Sequence, residues 1–346
     1  VATTINEEIE KRNAANNPNE LEQKVLEALR KKEGASLVDL SNALDVGINT
    51  VRNTIASLRI KNFIIDVAED DDTKIVLGKS LAAPPEPIRI DVQKYFGGRT
   101  VRVGLLGESH LGSKYERIDV LNALYDIYAQ EGVHTVYHSG NTIDAFKHGI
   151  NDHEVYKTGI DDQIDNFIEK YPQREGIDTH YITGECHEGW WIKSHNIDIG
   201  RLIESKAVAI GRRDLHYIGH LEADIELQYG TGSNILRIIH PGGGTSYAIS
   251  YQVQKIIESY QGGEKPRVLF VGHFHKAMYL PKYRDVFSFQ AGCTQDQTPF
   301  MRKKHLEAHV GGWIIDMIMN DAGIVTRVKG EFIAFYDRGF HTKWLR

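Results

Sequence analysis

The chain has 346 residues, 41% hydrophobic and 25% charged, with a net charge of −6. This is the make-up of a globular protein long enough for one large core and a smaller module. Its negative balance excludes a surface coated in nucleic acid through bulk charge, so any DNA contact needs a local basic patch. There is no apolar run of the roughly eighteen residues that a membrane helix needs.

Residues 1–18 are polar, end in Asn16-Asn17-Pro18 and predict a flexible arm. The opening acids Glu7, Glu8 and Glu10 do not fit the basic-then-apolar layout of a signal peptide. The two cysteines, Cys186 and Cys293, make no disulfide framework. The expected compartment is therefore a reducing cytoplasm, of a bacterial or phage-infected cell.

From Glu20 a helical period places Leu21, Val25, Leu26 and Leu29 on one face. A second helix fits Leu37 to Leu44, opened by Ser36 with Asp39 three residues on, a capping arrangement. Asp45-Val46-Gly47 makes a tight turn, and Asn49 starts a third helix carrying Val51, Ile55 and Leu58. Phe63 to Val67 reads as a strand, Glu69 to Asp72 as an acidic tip, and Lys74 to Leu77 as the return strand.

Over residues 19–80 this order resembles a winged helix-turn-helix domain. The resemblance implies a third helix in the major groove, contacting DNA through Asn49, Thr50, Arg52 and Asn53. Residues 1–80, however, hold 11 Lys/Arg against 14 Asp/Glu, and phosphate contacts dominate affinity for a duplex. DNA binding and protein docking stand as equal expectations for this module.

Pro84, Pro85 and Pro87 mark a stiff, extended linker, with its bounds set at residues 81–98. Beyond it strands and helices alternate. The spacing predicts strands Thr100 to Leu106, His134 to His138 and Thr179 to Thr183, with helices Tyr115 to Gln130 and Asp161 to Tyr171 between them. Strands near Ala223 to Leu227, Ile235 to Ile239, Val268 to Val271 and Val286 to Gln290 follow, with a helix from Ser246 to Tyr260. Gly312 to Ile318 and Ile324 to Phe335 complete an α/β domain, residues 99–346, of two packed sheets flanked by helices.

Five short clusters carry the chemistry: Gly107-Glu108-Ser109-His110, Gly140-Asn141-Thr142-Ile143-Asp144, Gly184-Glu185-Cys186-His187-Glu188, Ile239-His240-Pro241 and Gly272-His273-Phe274-His275. Each follows an apolar run, so these groups would gather along one sheet edge. Alternation puts Glu108 with His110, and His273 with His275, on one side of an extended segment. Imidazole with carboxylate or amide ligands suits manganese, zinc, iron or magnesium. A pair of such ions can activate water and clamp an in-line displacement at phosphorus.

In order, spacing and context the clusters resemble the calcineurin-like metallophosphoesterase superfamily over residues 99–335. The resemblance implies two divalent ions, manganese first among them. It makes Glu108 and His110 ligands of the first ion and Asn141 the bridge, where the family has aspartate. Asp144 would orient the catalytic His187, which protonates the leaving oxygen or stabilises the transferring phosphoryl group. His240 and His273 would serve the second ion, and His275 the first. At the family's ligand asparagine Glu185 and Cys186 compete, with Glu185 favoured.

Trp190 and Trp191 could stack a base or pack in the core. Lys114, Arg117, Arg212 and Arg213 could meet a phosphodiester. The leading expectation is a two-metal phosphodiesterase acting on DNA, similar to nucleases of phages and prophages. The alternatives are a degenerate member acting as a DNA-binding or assembly subunit, and a phosphatase. Oligomeric state is left open.

Overall fold

The structure, a computed structural model, describes residues 19–31, 35–60, 65–68, 71–77, 87–147, 151–195, 197–261 and 263–336. The expected arm (1–18), the acids Glu69 and Asp70, residues 81–86 of the expected linker and His148 lie outside the described residues. The chain divides into two compact units between Pro85 and Glu86.

The first unit begins with α1 (Glu20–Lys31), then β1 (Ala35–Ser36), α2 (Leu37–Leu44), α3 (Ile48–Ile60), β2 (Ile65–Ala68) and β3 (Asp71–Leu77). The expected capping box closes α2: Ser36 Oγ accepts from Asp39 N–H at 3.0 Å and Asp39 Oδ2 accepts from Ser36 N–H at 3.1 Å. Asp45 ends that helix in the left-handed region. Val25, Leu29, Leu40, Val51, Ile55 and Leu58 form a shared core, and the strands pair antiparallel in the order β1-β3-β2.

The second unit contains two mixed six-stranded sheets. One comprises β5 (Thr100–Leu106), β6 (Thr135–His138), β7 (Asp178–Thr183), β8 (Leu215–His220), β14 (Gly311–Met319) and β15 (Val325–Ala334), in the order β15-β14-β5-β6-β7-β8. The other comprises β4 (Ile88–Asp91), β9 (Glu222–Tyr229), β10 (Gly232–Ile239), β11 (Val268–Val271), β12 (Ala277–Tyr283) and β13 (Val286–Ala291), in the order β12-β13-β11-β10-β9-β4. Alternate residues of both sheets, including Val103, Leu105, Ile225, Leu236, Phe270 and Phe289, interleave as one core. On the outer face of the first sheet, α5 (Ile118–Gln130), α6 (Ile160–Lys170) and α8 (Ile199–Ala209) bury Leu121, Leu124, Phe167 and Ile203. On the second sheet, α9 (Tyr251–Ser259) buries Val253 and Ile257.

Residues 87–98 are not linker. Ile88–Asp91 pairs parallel with β9, and α4 (Val92–Phe96), capped by Asp91, buries Val92. The proline run hid this edge strand. The helix expected from Tyr115 begins at Ile118, because Arg117 N–H and Glu116 N–H bond Thr294 O and Ser113 O. Likewise the helix expected from Ser246 begins at Tyr251.

Candidate metal centre

Each cluster begins where a strand ends: after β5, β6 and β7 in one sheet, and after β10 and β11 in the other. Backbone bonds knit the clusters together. Glu108 N–H donates to Gly140 O and His110 N–H to Asn141 O, both at 3.0 Å, and Gly272 N–H donates to Ile239 O at 2.9 Å.

The convergence does not come from strand alternation. Glu108 (φ 52°), His110 (46°), Asn141 (53°), His273 (76°) and His275 (54°) all adopt left-handed backbone. Such residues are uncommon outside glycine and cost about 1–3 kcal/mol each, and they cluster at functional sites. The left-handed kinks, rather than a pleat, bring these side chains together.

Glu108 lies at the centre, fully buried. It accepts hydrogen bonds from Asn141 Nδ2 at 2.8 Å and from His273 N–H at 2.6 Å. His110 Nε2, His275 Nε2 and His240 Nδ1 each stand 3.3 Å from its oxygens. Burial works to keep this carboxyl protonated, but His240, His110 and His275 hold it well below the usual carboxylate range. Burial likewise opposes charge on His110, but hydrogen bonds to Asp144 and Glu108 prevail and raise it to about 9. This knot of acids and imidazoles attracts positive charge.

Two triads bring their ligand atoms within 4.8 Å of one another: Glu108, His110 and His275, and His110, Asp144 and His187. Both are compatible with a dinuclear metal site. In the second, Asp144 Oδ1 accepts from His110 Nδ1 at 3.1 Å and stands 2.8 Å from His187 Nδ1. Asp144 thereby orients both rings, accepting the Nδ1 proton of His110 and turning Nε2 toward Glu108 and His275.

Two further groups fit a cation. His240 Nδ1–H donates to Ser139 O at 2.8 Å, so Nε2 presents a lone pair, and that atom is buried with no partner among the described residues. Burial pushes this imidazole down to about 4, so the ring is neutral. Asn141 spends its amide nitrogen on Glu108, which leaves Oδ1 buried and equally without a partner. Both acceptors lie over Gly184, where a Cβ would come within 2.3 Å of Asn141 Oδ1 and 2.8 Å of His240 Nε2. Buried acceptors are rarely left unsatisfied, and a cation would satisfy this pair.

The other expected residues lie outside both triads. His273 stands edge-on to His240, ring centroids 5.3 Å apart, and its Nε2–H donates to Gly243 O at 2.7 Å. Glu185 is half-buried and accepts from Lys193 Nζ at 2.6 Å, while Cys186 is exposed. Lys114 donates to His153 O at 2.9 Å. Trp190 is exposed and Trp191 packs against the core. Arg117 is buried against Asp119 and Asp296, and Arg212 against Asp214, so neither guanidinium reaches a substrate.

Two supports had no role in the sequence reading. Glu188, fully buried, accepts from Thr142 N–H, from Thr142 Oγ at 2.7 Å, from Ile143 N–H at 3.4 Å and from Gly184 N–H at 3.2 Å. One carboxylate thus fastens the second cluster to the third. His138 Nδ1 accepts from Gly140 N–H at 3.2 Å, so its Nε2–H donates to Ser109 Oγ at 2.9 Å, whose hydroxyl donates to Thr142 O at 3.0 Å. An acid heading the helix α7 (Glu188–His195) and a histidine ending β6 were the available signals.

No helix among the described residues is long and apolar enough to cross a membrane. The sequence matches no protein-family model and no curated protein. In structure it is similar to a conserved uncharacterized protein, a predicted phosphoesterase, from Streptococcus pneumoniae, at 12% identity and TM-score 0.30, covering 68% of this chain and 98% of that one. It is also similar to a single mutant of Vps29 from Entamoeba histolytica, at 14% identity and TM-score 0.31, covering 68% and 100%. A third likeness is to a 5'-nucleotidase precursor from Thermus thermophilus, at 11% identity and TM-score 0.36, covering 71% of this chain and 57% of that longer one.

Proposed function

We propose that the chain is a metal-dependent phosphoester hydrolase of the calcineurin-like metallophosphoesterase type, a phosphodiesterase acting on DNA. One observation carries the reading. Glu108, His110 and His275 close on one point, beside two buried acceptors, Asn141 Oδ1 and His240 Nε2, that no donor among the described residues satisfies.

Glu108, His110 and His275 would hold one divalent ion, manganese being the first choice from the family resemblance and zinc or iron equally suited to the imidazoles. Asn141, His240 and His273 would hold the second, with Glu185 ahead of Cys186 as a further ligand. Such a pair supplies water activation and neutralises charge developing at phosphorus. His187, its Nδ1 fixed by Asp144, offers Nε2 for proton exchange with the leaving oxygen.

The helices and strands of the first unit support a winged helix-turn-helix reading, as a substrate-choosing or protein-docking module. Asn49, Thr50, Arg52 and Asn53 on α3 are exposed, as a reading helix requires. A second reading, a non-catalytic DNA-binding or assembly subunit, draws on Asn141, which contributes no charge to a cation and donates to Glu108 instead.

Purified protein is to be assayed for bound metal and for manganese-stimulated cleavage of single-stranded DNA, duplex DNA, bis-p-nitrophenyl phosphate and a phosphomonoester. Bound divalent ions with diester cleavage that His275→Ala abolishes support the hydrolase. Metal-free, inert protein favours the subunit reading.

A further inference from the structure

Segment 241–250 runs from His240 to α9. Near its start Gly243 O accepts from His273 Nε2, and farther along Tyr247 and Ile249 wall a cavity of about 380 Å³. Its other walls include Phe274 and Lys276, which flank His275, together with Gln290 and Leu306. The cavity and the metal centre are thus built from the same two segments. The turn that carries His273 and His275 also puts Phe274 and Lys276 into the cavity wall. The volume is at the lower end of small-ligand pockets, roughly 300–1,000 Å³, which suits one ring system with its sugar.

The walls specify that ring. Phe274, 5% exposed and packed with Val253 and Ile257, lines the cavity with its apolar edge, while Tyr247 stands wholly in solvent at the rim. An aromatic side chain gains from being covered by another flat ring. Gln290 is only 1% exposed. Its Nε2 donates to Ile249 O at 2.7 Å, and its Oε1 is buried without a partner among the described residues. A ligand N–H would relieve that orphaned acceptor. An acyl chain would leave Gln290 unsatisfied, and a bare sugar would leave the aromatic faces uncovered. A nucleobase answers both requirements.

We infer that this cavity is the subsite for a nucleobase of the substrate, its ring against Phe274 and Tyr247 and one of its N–H groups on Gln290 Oε1. The inference rests on the hydrolase reading for what lies next door, but the binding itself needs neither metal nor turnover.

The test is equilibrium binding to the metal-stripped full chain of adenosine, guanosine, cytidine, thymidine and purine riboside, whose base has no N–H. At least one of the four natural nucleosides should bind, with purine riboside about tenfold weaker than the best of them. Tyr247→Ala, at an exposed position that leaves folding intact, should weaken binding about tenfold, the size of one base–aromatic stack. Gln290→Leu, with its fold checked by circular dichroism, should erase the preference over purine riboside. Failure of all four nucleosides to bind, or equal binding by purine riboside and the Tyr247→Ala protein, overturns the subsite. Nucleoside binding by a protein inert toward every phosphoester would instead sink the hydrolase reading alone.

Discussion

Asn141 turns its amide nitrogen onto Glu108, 2.8 Å away, and leaves its carbonyl oxygen buried without a donor among the described residues. The amide therefore stabilises the metal-free centre with one end and offers a cation ligand with the other.

Replacing Asn141 with aspartate separates these two roles. Asn141→Asp exchanges a hydrogen bond for two facing carboxylates, a repulsion worth about 1–3 kcal/mol in a buried site. The metal-free variant should melt several degrees lower, and manganese should more than restore it. Differential scanning fluorimetry with and without chelator checks this, and loss of metal affinity would contradict the ligand role.

Gly184→Ala probes the space over the two orphaned acceptors. A methyl group 2.3 Å from Asn141 Oδ1 and 2.8 Å from His240 Nε2 must displace one of them. The variant should lose one of two bound ions while Glu108, His110 and His275 keep theirs. Metal stoichiometry by mass spectrometry reads this, and two retained ions would place the second ion elsewhere.

Glu188→Gln tests the clamp between clusters. A glutamine amide must turn a donor toward backbone N–H groups that now meet an acceptor, leaving buried donors unpaired at about 1–3 kcal/mol. Urea unfolding should show the loss. Manganese affinity should fall with it, because Thr142 and Gly184 would no longer be held in register.

Acid stability should follow the buried neutral histidines. Burial pushes His138 down to about 3 and His180 to about 4. Both folded values lie below the unfolded value near 6.5, so their stabilisation is full above that pH. It is lost as pH falls toward the folded values, at up to about 1.4 kcal/mol per pH unit for each group. His110, raised to about 9, has the opposite sign and acts only as pH rises above the unfolded value. Melting temperature in chelator should fall from pH 6.5 to 5, and His138→Gln should flatten that slope. An unchanged slope would mean that His138 does not titrate on unfolding.

Much of this architecture was legible because β11 and the end of β5 are buried apolar runs, while β10 alternates apolar and polar residues as a strand does. The strand β12 was not, since its residues are half-exposed and include Pro281. Likewise β4 hid behind three prolines. In the site, the left-handed φ at Glu108 and His275 follows from the joining of two sheets, which no local pattern encodes. Asp144 could be named as an orienting group through the motif it matches. Glu188 could not be, because a buried acid takes its function from donors that only the tertiary fold brings to it.

The five left-handed residues form a nest framed by bonds between protein groups. Glu108 N–H donates to Gly140 O, His110 N–H to Asn141 O and His273 N–H to the Glu108 carboxylate. A chelated chain should therefore stay folded, unlike small domains that collapse when stripped of zinc. Tolerance to substitution at these positions should be correspondingly narrow. Asparagine, aspartate, histidine and glycine tolerate the torsion, whereas valine or isoleucine would distort the nest even where ligand chemistry was not at stake.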